Sequence, residues 1–285
     1  MNYRHAFHAG NFADVVKHAV LARIVEYLKE KPAAFRVIDT HAGAGSYDLG
    51  GAEASRTGEW RAGIGKLLAA ELPPPVRDLL APYLDAVASF NPGAAAGGDL
   101  KVYPGSPALV RHWLRAQDRM IACEAEPAAA RALASRMQGD NRVRPVAIDG
   151  YTALNAYVPP KERRGLVLVD PPFEQPDEFA RLEQALAGAH RKWPTGIVLI
   201  WYPLKDARGT QAFGRRLARL NVPRILRAEL TVAPAQDAQK LAGSGLIVVN
   251  PPWTLADELA VLLPALAQAF AGTEGRSRLD WLAGE

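Results

Sequence analysis

Gly165-Leu166-Val167-Leu168-Val169-Asp170-Pro171-Pro172-Phe173 is the stretch from which the fold of this 285-residue chain can be read. Five residues with neither charge nor polar alternation suit a strand covered on both faces, as in a parallel sheet between helices. Proline has no N–H for a sheet ladder, so the strand ends at Asp170. Six more short apolar runs lie outward from it, at residues 35–39, 120–123, 144–148, 197–201, 225–232 and 246–249. Helix-like segments separate most of them, which predicts a doubly wound, mostly parallel seven-stranded α/β sheet.

A helix is expected over residues 12–30, where Asn11 can cap, Asp14 sits in the first turn, and Val16, Val20, Ile24 and Leu28 repeat every four residues. Pro32 ends it. The link between the first two strands is too long for a simple crossover, so residues 48–100 are expected to be an inserted, mostly helical module. The expected organisation is therefore one domain over 1–285, with an N-terminal arm and helix at 1–34 and the insertion at 48–100.

A composition of 49% hydrophobic and 22% charged residues excludes a disordered chain or a fibre. One cysteine, Cys123, excludes an intramolecular disulfide and a Cys-rich zinc site, and it suits a reducing cytosol. The first residues have no apolar signal region, and a cytoplasmic protein that spans no membrane is expected. The net charge of +4 conceals an uneven map. Residues 1–36 carry +3, residues 48–100 carry −3, and 204–227 hold seven Lys or Arg against Asp206. The arm and the last stretch are candidate phosphate-facing surfaces, the last stretch reading equally as a solvated helix face, and the acidic insertion is expected to turn partly away from phosphates.

Ligands on such sheets bind beyond the carboxyl ends of the strands, where strand order reverses. After the first run comes the glycine-rich turn Asp39-Thr40-His41-Ala42-Gly43-Ala44-Gly45, which lets backbone approach a ligand. The run at 120–123 is followed by Glu124, placed to accept hydrogen bonds from both ribose hydroxyls of a nucleoside ligand. Asp149-Gly150 follows the next and would lie beside an adenine. Asp170-Pro171-Pro172-Phe173 is a specific signal for methylation of an exocyclic amine. The N6 lone pair of adenine is delocalised into the ring. The Asp170 carboxylate and the Pro171 carbonyl can both accept from the NH₂ group, favouring a pyramidal nitrogen aimed at a methyl donor. Phe173 can stack on a base taken out of its helix. Asn250-Pro251-Pro252-Trp253 has the same spelling, but it follows a run expected to insert antiparallel, with its carboxyl end on the wrong side.

The chain is similar throughout its length to the RlmJ family of 23S rRNA adenine-N6 methyltransferases. The resemblance rests on Tyr3-Arg4-His5-Ala6-Phe7-His8-Ala9-Gly10-Asn11, Lys17-His18, the 39–45 turn, Arg56-Thr57-Gly58-Glu59, Tyr103-Pro104-Gly105-Ser106-Pro107, Asp149-Gly150, Asp170-Pro171-Pro172 and Trp201-Tyr202-Pro203. It implies a Rossmann-like class I methyltransferase fold and S-adenosylmethionine held by His18, His41, Ser106, Glu124, Asp149, Gly150 and Asp170. It also implies Asp170 as the catalytic carboxylate, with Tyr3, His5 and Lys17 toward the substrate, and adenine 2030 as the target. Phe173 stands where tyrosine is common in the family; both rings stack.

The base is expected to stack on Phe173 and to approach Trp201-Tyr202. Free or early-assembly 23S rRNA is the expected partner, and a monomer the expected state. A metal site at His5, His8 and His18 is not expected, because no cysteine or carboxylate pattern completes a tetrahedron. Cys123 reads as core. Adenine-N6 methylation of DNA is an alternative, since the same residues serve either polymer and only a 2′-hydroxyl contact separates them. A non-catalytic nucleic-acid-binding factor in DNA uptake or use is another, though binding alone needs no carboxylate against an amine.

Overall fold

The fold is described from a computed structural model, for residues 5–93, 100–234 and 241–284. Helix α1 (Phe12–Lys29) starts where the Asn11 side chain accepts from the Asp14 amide at 3.0 Å, and it runs into the Pro32 turn. Almost every side of it is buried, Asp14, Lys17 and His18 included. It is a core helix between the sheet and the inserted helices.

The strands in chain order are β1 (Arg36–Asp39), β2 (Ser46–Asp48), β3 (Val102–Pro104), β4 (Arg119–Glu124), β5 (Val143–Ala147), β6 (Gly165–Val169), β7 (Ile197–Leu204), β8 (Ile225–Thr231), β9 (Gly243–Val249) and β10 (Arg276–Ala283). Eight of them form one sheet in the order β10-β8-β9-β7-β6-β1-β4-β5, and β2 pairs with β3. From β5 to β7 all neighbours are parallel. Strand β9 inserts antiparallel between β7 and β8. This is the seven-stranded class I methyltransferase arrangement with one strand added.

The added strand, β10, pairs antiparallel with β8 at the sheet edge. Its sequence, Arg276-Ser277-Arg278-Leu279-Asp280-Trp281, is half charged, which suits an edge exposed to water and carries no buried-strand signal.

Helices lie on both faces. Helices α5 (Ser106–Trp113) and α10 (Leu255–Ala271) join α1 on one side, while α7 (Gly150–Tyr157), α8 (Glu178–Lys192) and α9 (Ala207–Leu217) cover the other. Helix α6 (Pro127–Met137) packs on β4 and β5. The segment Leu255–Glu274 is long and apolar enough to cross a membrane by composition, but Leu255, Leu259, Leu262, Leu263, Leu266 and Phe270 form part of the core. Residues 48–100 supply α2 (Ala52–Thr57), α3 (Lys66–Ala69) and α4 (Pro74–Ser89). Tyr83 of α4 is fully buried against the α1 side of the domain. Strand order reverses between β1 and β6, which are neighbours, so the ligand crevice opens above Asp39 and Asp170.

Candidate active site

A cavity of about 820 Å³ lies at that crevice, within the range of roughly 300–1,000 Å³ typical of pockets that enclose small ligands. Its floor is the turn after β1. Gly43 has φ 59°, and a Cβ there would lie 2.2 Å from the Tyr47 hydroxyl, so only glycine fits. The Gly43 amide donates to Glu124 Oε2 at 2.8 Å and the Glu126 amide to Oε1 at 2.7 Å. Two backbone donors thus aim the Glu124 carboxylate, and each oxygen keeps a lone pair for a ligand hydroxyl.

Ser106, at the start of α5, donates to Asp39 Oδ2 at 2.7 Å. Asp39 is fully buried; burial pushes its carboxyl up to about 7 against the Ser106 bond, and the charge of Asp170 adds to the rise. Thr40 Oγ1 donates to the Leu168 carbonyl at 2.9 Å, so it must accept from His41 Nδ1 at 2.8 Å. Burial lowers His41 to about 4, so the ring is neutral with a bare Nε2. That ring edge fills the space beside Gly150, where a Cβ would come within 2.6 Å of Nε2. Asp149 caps α7 by accepting from the Thr152 amide and hydroxyl, both at 2.9 Å.

Asp170 emerges from β6 and is gripped by Lys17 of α1, whose ammonium also donates to Asp14 Oδ1 at 2.8 Å. Asp14 accepts in addition from His5 Nε2 at 2.9 Å and from the Gly10 amide at 3.0 Å. Burial opposes the charge on both Asp14 and Lys17. The neighbouring charges outweigh it, holding the Asp14 carboxyl well down and the Lys17 ammonium firmly charged. Lys17 is 3% exposed, so its charge is committed to two carboxylates.

The cavity brings together His5, Lys17, His18, His41, Ser106, Glu124, Asp149, Gly150 and Asp170. Pro171 is buried and is not among the residues that line the cavity, whereas Pro172 is. Phe173, at φ 52°, sits edge-on to Phe179 and Trp201 with centroids 5.2 and 5.7 Å away, next to the cavity wall. Tyr3 falls outside the described residues. The sequence reading missed Asp39 as a site group. It also missed Tyr151, whose hydroxyl donates to Glu178 at 2.6 Å beneath the Arg181 guanidinium. These two sides meet only when α7 and α8 pack together, and no local motif marks that.

Two expectations need correction. Tyr202 is 1% exposed and donates to Glu229, because alternation along β7 turns it into the core; only Trp201 remains beside Phe173. The inserted module also reaches the site: Asp48 and Glu53 line the cavity, and Glu59 holds His8 and Asn11 at 3.0 Å. The 204–227 stretch is not one surface. Arg227 is buried on Asp280, Arg216 pairs with Glu183, and Arg224 donates to the Pro251 carbonyl, while Lys205 and Arg208 stay exposed near the carboxyl end of β7. His5, His8 and His18 meet Asp14, Glu59 and Tyr103 respectively and do not converge. Cys123 is buried, which pushes its thiol up to about 12.

A family model described as "RsmJ: Ribosomal RNA large subunit methyltransferase D, RlmJ" matches residues 32–283. The chain belongs to this family. Two curated relatives, both named Ribosomal RNA large subunit methyltransferase J, align over the whole of each chain. The one from Escherichia coli (strain K12) is 39% identical over 287 residues, and the one from Haemophilus influenzae is 37% identical over 288. The crystal structure of LPL1258 from Legionella pneumophila superposes with a TM-score of 0.87 at 32% identity, covering 96% of this chain and 98% of that one.

The protein is an rRNA methyltransferase, and its methyl donor is S-adenosylmethionine. The residues present fit that group. Eight carboxylates line the cavity against three cations, Lys17, Arg136 and Arg181, a balance that favours a sulfonium and disfavours a phosphate. Glu124 presents two acceptors to a ribose. The buried Nε2 of His18 has no hydrogen-bond partner among the described residues.

Proposed function

We propose that this enzyme transfers a methyl group to the exocyclic N6 of one adenine in 23S rRNA, the position that the family resemblance gives as adenine 2030. The observation that carries the reading is Asp170 itself, a carboxylate at the strand-order reversal, open to the cavity on one side and fixed by Lys17 on the other.

S-adenosylmethionine supplies an electrophilic methyl on sulfur. The chain's own residues make the amine a nucleophile. Asp170 and the Pro171 carbonyl accept the two N6 hydrogens and turn the lone pair toward the methyl. Hydrogen bonds to a charged acceptor contribute about 1.5–3 kcal/mol each, roughly tenfold to a hundredfold in rate, and fixed placement supplies much of the rest. The nitrogen ends one methyl richer and one proton poorer. Asp170, with its side chain 15% exposed, is placed to take that proton and pass it to water. Phe173, braced by Phe179 and Trp201, supports the extruded base. His5 lines the cavity and stands on the substrate side. An acidic cavity repels phosphates, so the RNA backbone runs along the rim near Lys205 and Arg208.

Free or early-assembly 23S rRNA is the substrate, acted on by a monomer in the cytoplasm, because a finished ribosome hides most of its helices. Incubation with free 23S rRNA, intact 50S particles and a DNA duplex tests this. N6-methyladenine in the free rRNA alone is the expected result; preference for the 50S particle or for DNA contradicts it.

A further inference from the structure

His18 is 1% exposed and lines the cavity, yet its contacts lead into the inserted module. Its Nδ1 lies 2.8 Å from the Tyr103 hydroxyl of β3, and that hydroxyl lies 2.9 Å from the Tyr83 hydroxyl of α4. Both tyrosines are fully buried. The His18 and Tyr103 rings stack with centroids 5.7 Å apart. Burial holds His18 well below its ordinary pKa, so the ring is neutral and carries one N–H.

Three proton arrangements satisfy these contacts. In the first, Tyr83 donates to Tyr103, Tyr103 donates to Nδ1, and the ring proton sits on Nε2. In the second every bond reverses, so the Tyr83 proton has no acceptor among the described residues and the Nε2 lone pair is stranded as well. In the third, Tyr83 and Nδ1–H both donate to Tyr103, which strands the Tyr103 proton and the Nε2 lone pair. The first arrangement leaves one group unsatisfied and the others leave two, and each unmade buried bond is costly. The first is therefore favoured, and it presents an N–H donor at the cavity wall.

We propose that Tyr83, Tyr103 and His18 form a polarised relay whose Nε2–H binds the carboxylate of the donor's amino-acid tail, which makes the inserted module part of donor recognition. This rests on the reading of the cavity as the S-adenosylmethionine site. The relay has a clear task there. An anionic tail enters a cavity rich in carboxylates, and the buried ammonium of Lys17 is already committed to Asp14 and Asp170. A neutral imidazole N–H held in one tautomer supplies the missing donor without adding a buried charge. Tyr83 and Tyr103 are positioning residues, acting only through His18.

The test compares S-adenosylmethionine with its decarboxylated form, which lacks only the carboxylate, by calorimetry on the full chain. Tyr103→Phe is expected to weaken S-adenosylmethionine about tenfold and to leave the decarboxylated ligand within about twofold, since a bond to a charged group is at stake. Tyr83→Phe is expected to act in the same direction by a few-fold. Equal weakening of both ligands, or no weakening of either, overturns the relay. Nitrogen NMR shifts of the His18 ring in the unaltered protein give a readout that needs no variant: protonated Nε2 with bare Nδ1 supports the relay, and the opposite tautomer overturns it. If the unaltered protein binds neither ligand, the donor-site reading itself fails, and the relay with it.

Discussion

The corners at 170–173 and 250–253 each follow a fully buried strand and each carry two prolines and an aromatic residue. Both force a residue other than glycine into the left-handed region, Phe173 at φ 52° and Asn250 at φ 49°. Their surroundings differ. Asp170 faces the cavity and takes its ion pair from Lys17. Asn250 spends its amide on the carbonyls of Pro194 and Gly196, at 2.7 and 2.9 Å, and Trp253 stands 74% exposed to solvent. Strand direction makes the difference. Strand β6 points its carboxyl end at the crevice, whereas β9 runs the other way, pairing Val249 with Val198 near the start of β7. The same four-residue pattern opens on the cavity at one end of the sheet and forms a structural clasp at the other.

Substitutions can break or sharpen that contrast. Asp170→Ala removes the acceptor proposed to orient the amine and is expected to lower single-turnover methylation by about a thousandfold or more, measured with labelled donor on free rRNA. Lys17→Met leaves the buried Asp14 and the partly buried Asp170 without their shared cation. It is expected to cost about 3–5 kcal/mol of stability in denaturant unfolding and to slow turnover by roughly tenfold to a hundredfold. Retained stability would show that the pair is not structural.

Asp39→Asn tests the buried neighbour of Asp170. A carboxyl raised to about 7 in the folded state binds protons that the unfolded chain has released, so its contribution is fully present below the ordinary carboxylate range and is lost as pH rises through about 7. Relative to the unaltered protein, the variant is expected to lose this part of the decline in unfolding free energy between about pH 4 and 7. Identical pH profiles would refute the assignment. Asn250→Ala completes the contrast with the smallest effect on chemistry. Turnover is expected to stay within about twofold, while loss of two side-chain bonds to backbone costs about 1–3 kcal/mol of stability.

The seven-strand pattern and the crevice were legible because buried parallel strands leave unbroken apolar runs and because strand ends locate ligand sites. Strand β10 was not, since an edge strand with Arg276, Arg278 and Asp280 looks like a polar tail. Strands β2 and β3 are three residues each, too short for any period to show. Glu124 and Asp170 could be picked out because each closes a strand. Tyr83 and Tyr103 lie 20 residues apart in separate elements, and their joined hydroxyls follow from the packing of α4 against α1 and β3. The arginines of 204–227 show the limit of charge counting, since partners such as Asp280 and Glu183 arrive from distant segments.

Under the proposed function, the corner at 170–173 methylates adenine N6 in large-subunit rRNA. Mass-spectrometric mapping of 23S rRNA from cells lacking this protein, complemented with the unaltered chain, Asp170→Ala or Asn250→Ala, tests it most directly. One N6-methyladenine should be missing without the protein, restored by the unaltered chain and by Asn250→Ala, and absent with Asp170→Ala. Restoration by Asp170→Ala, or an unchanged methylation map in cells lacking the protein, would contradict the account.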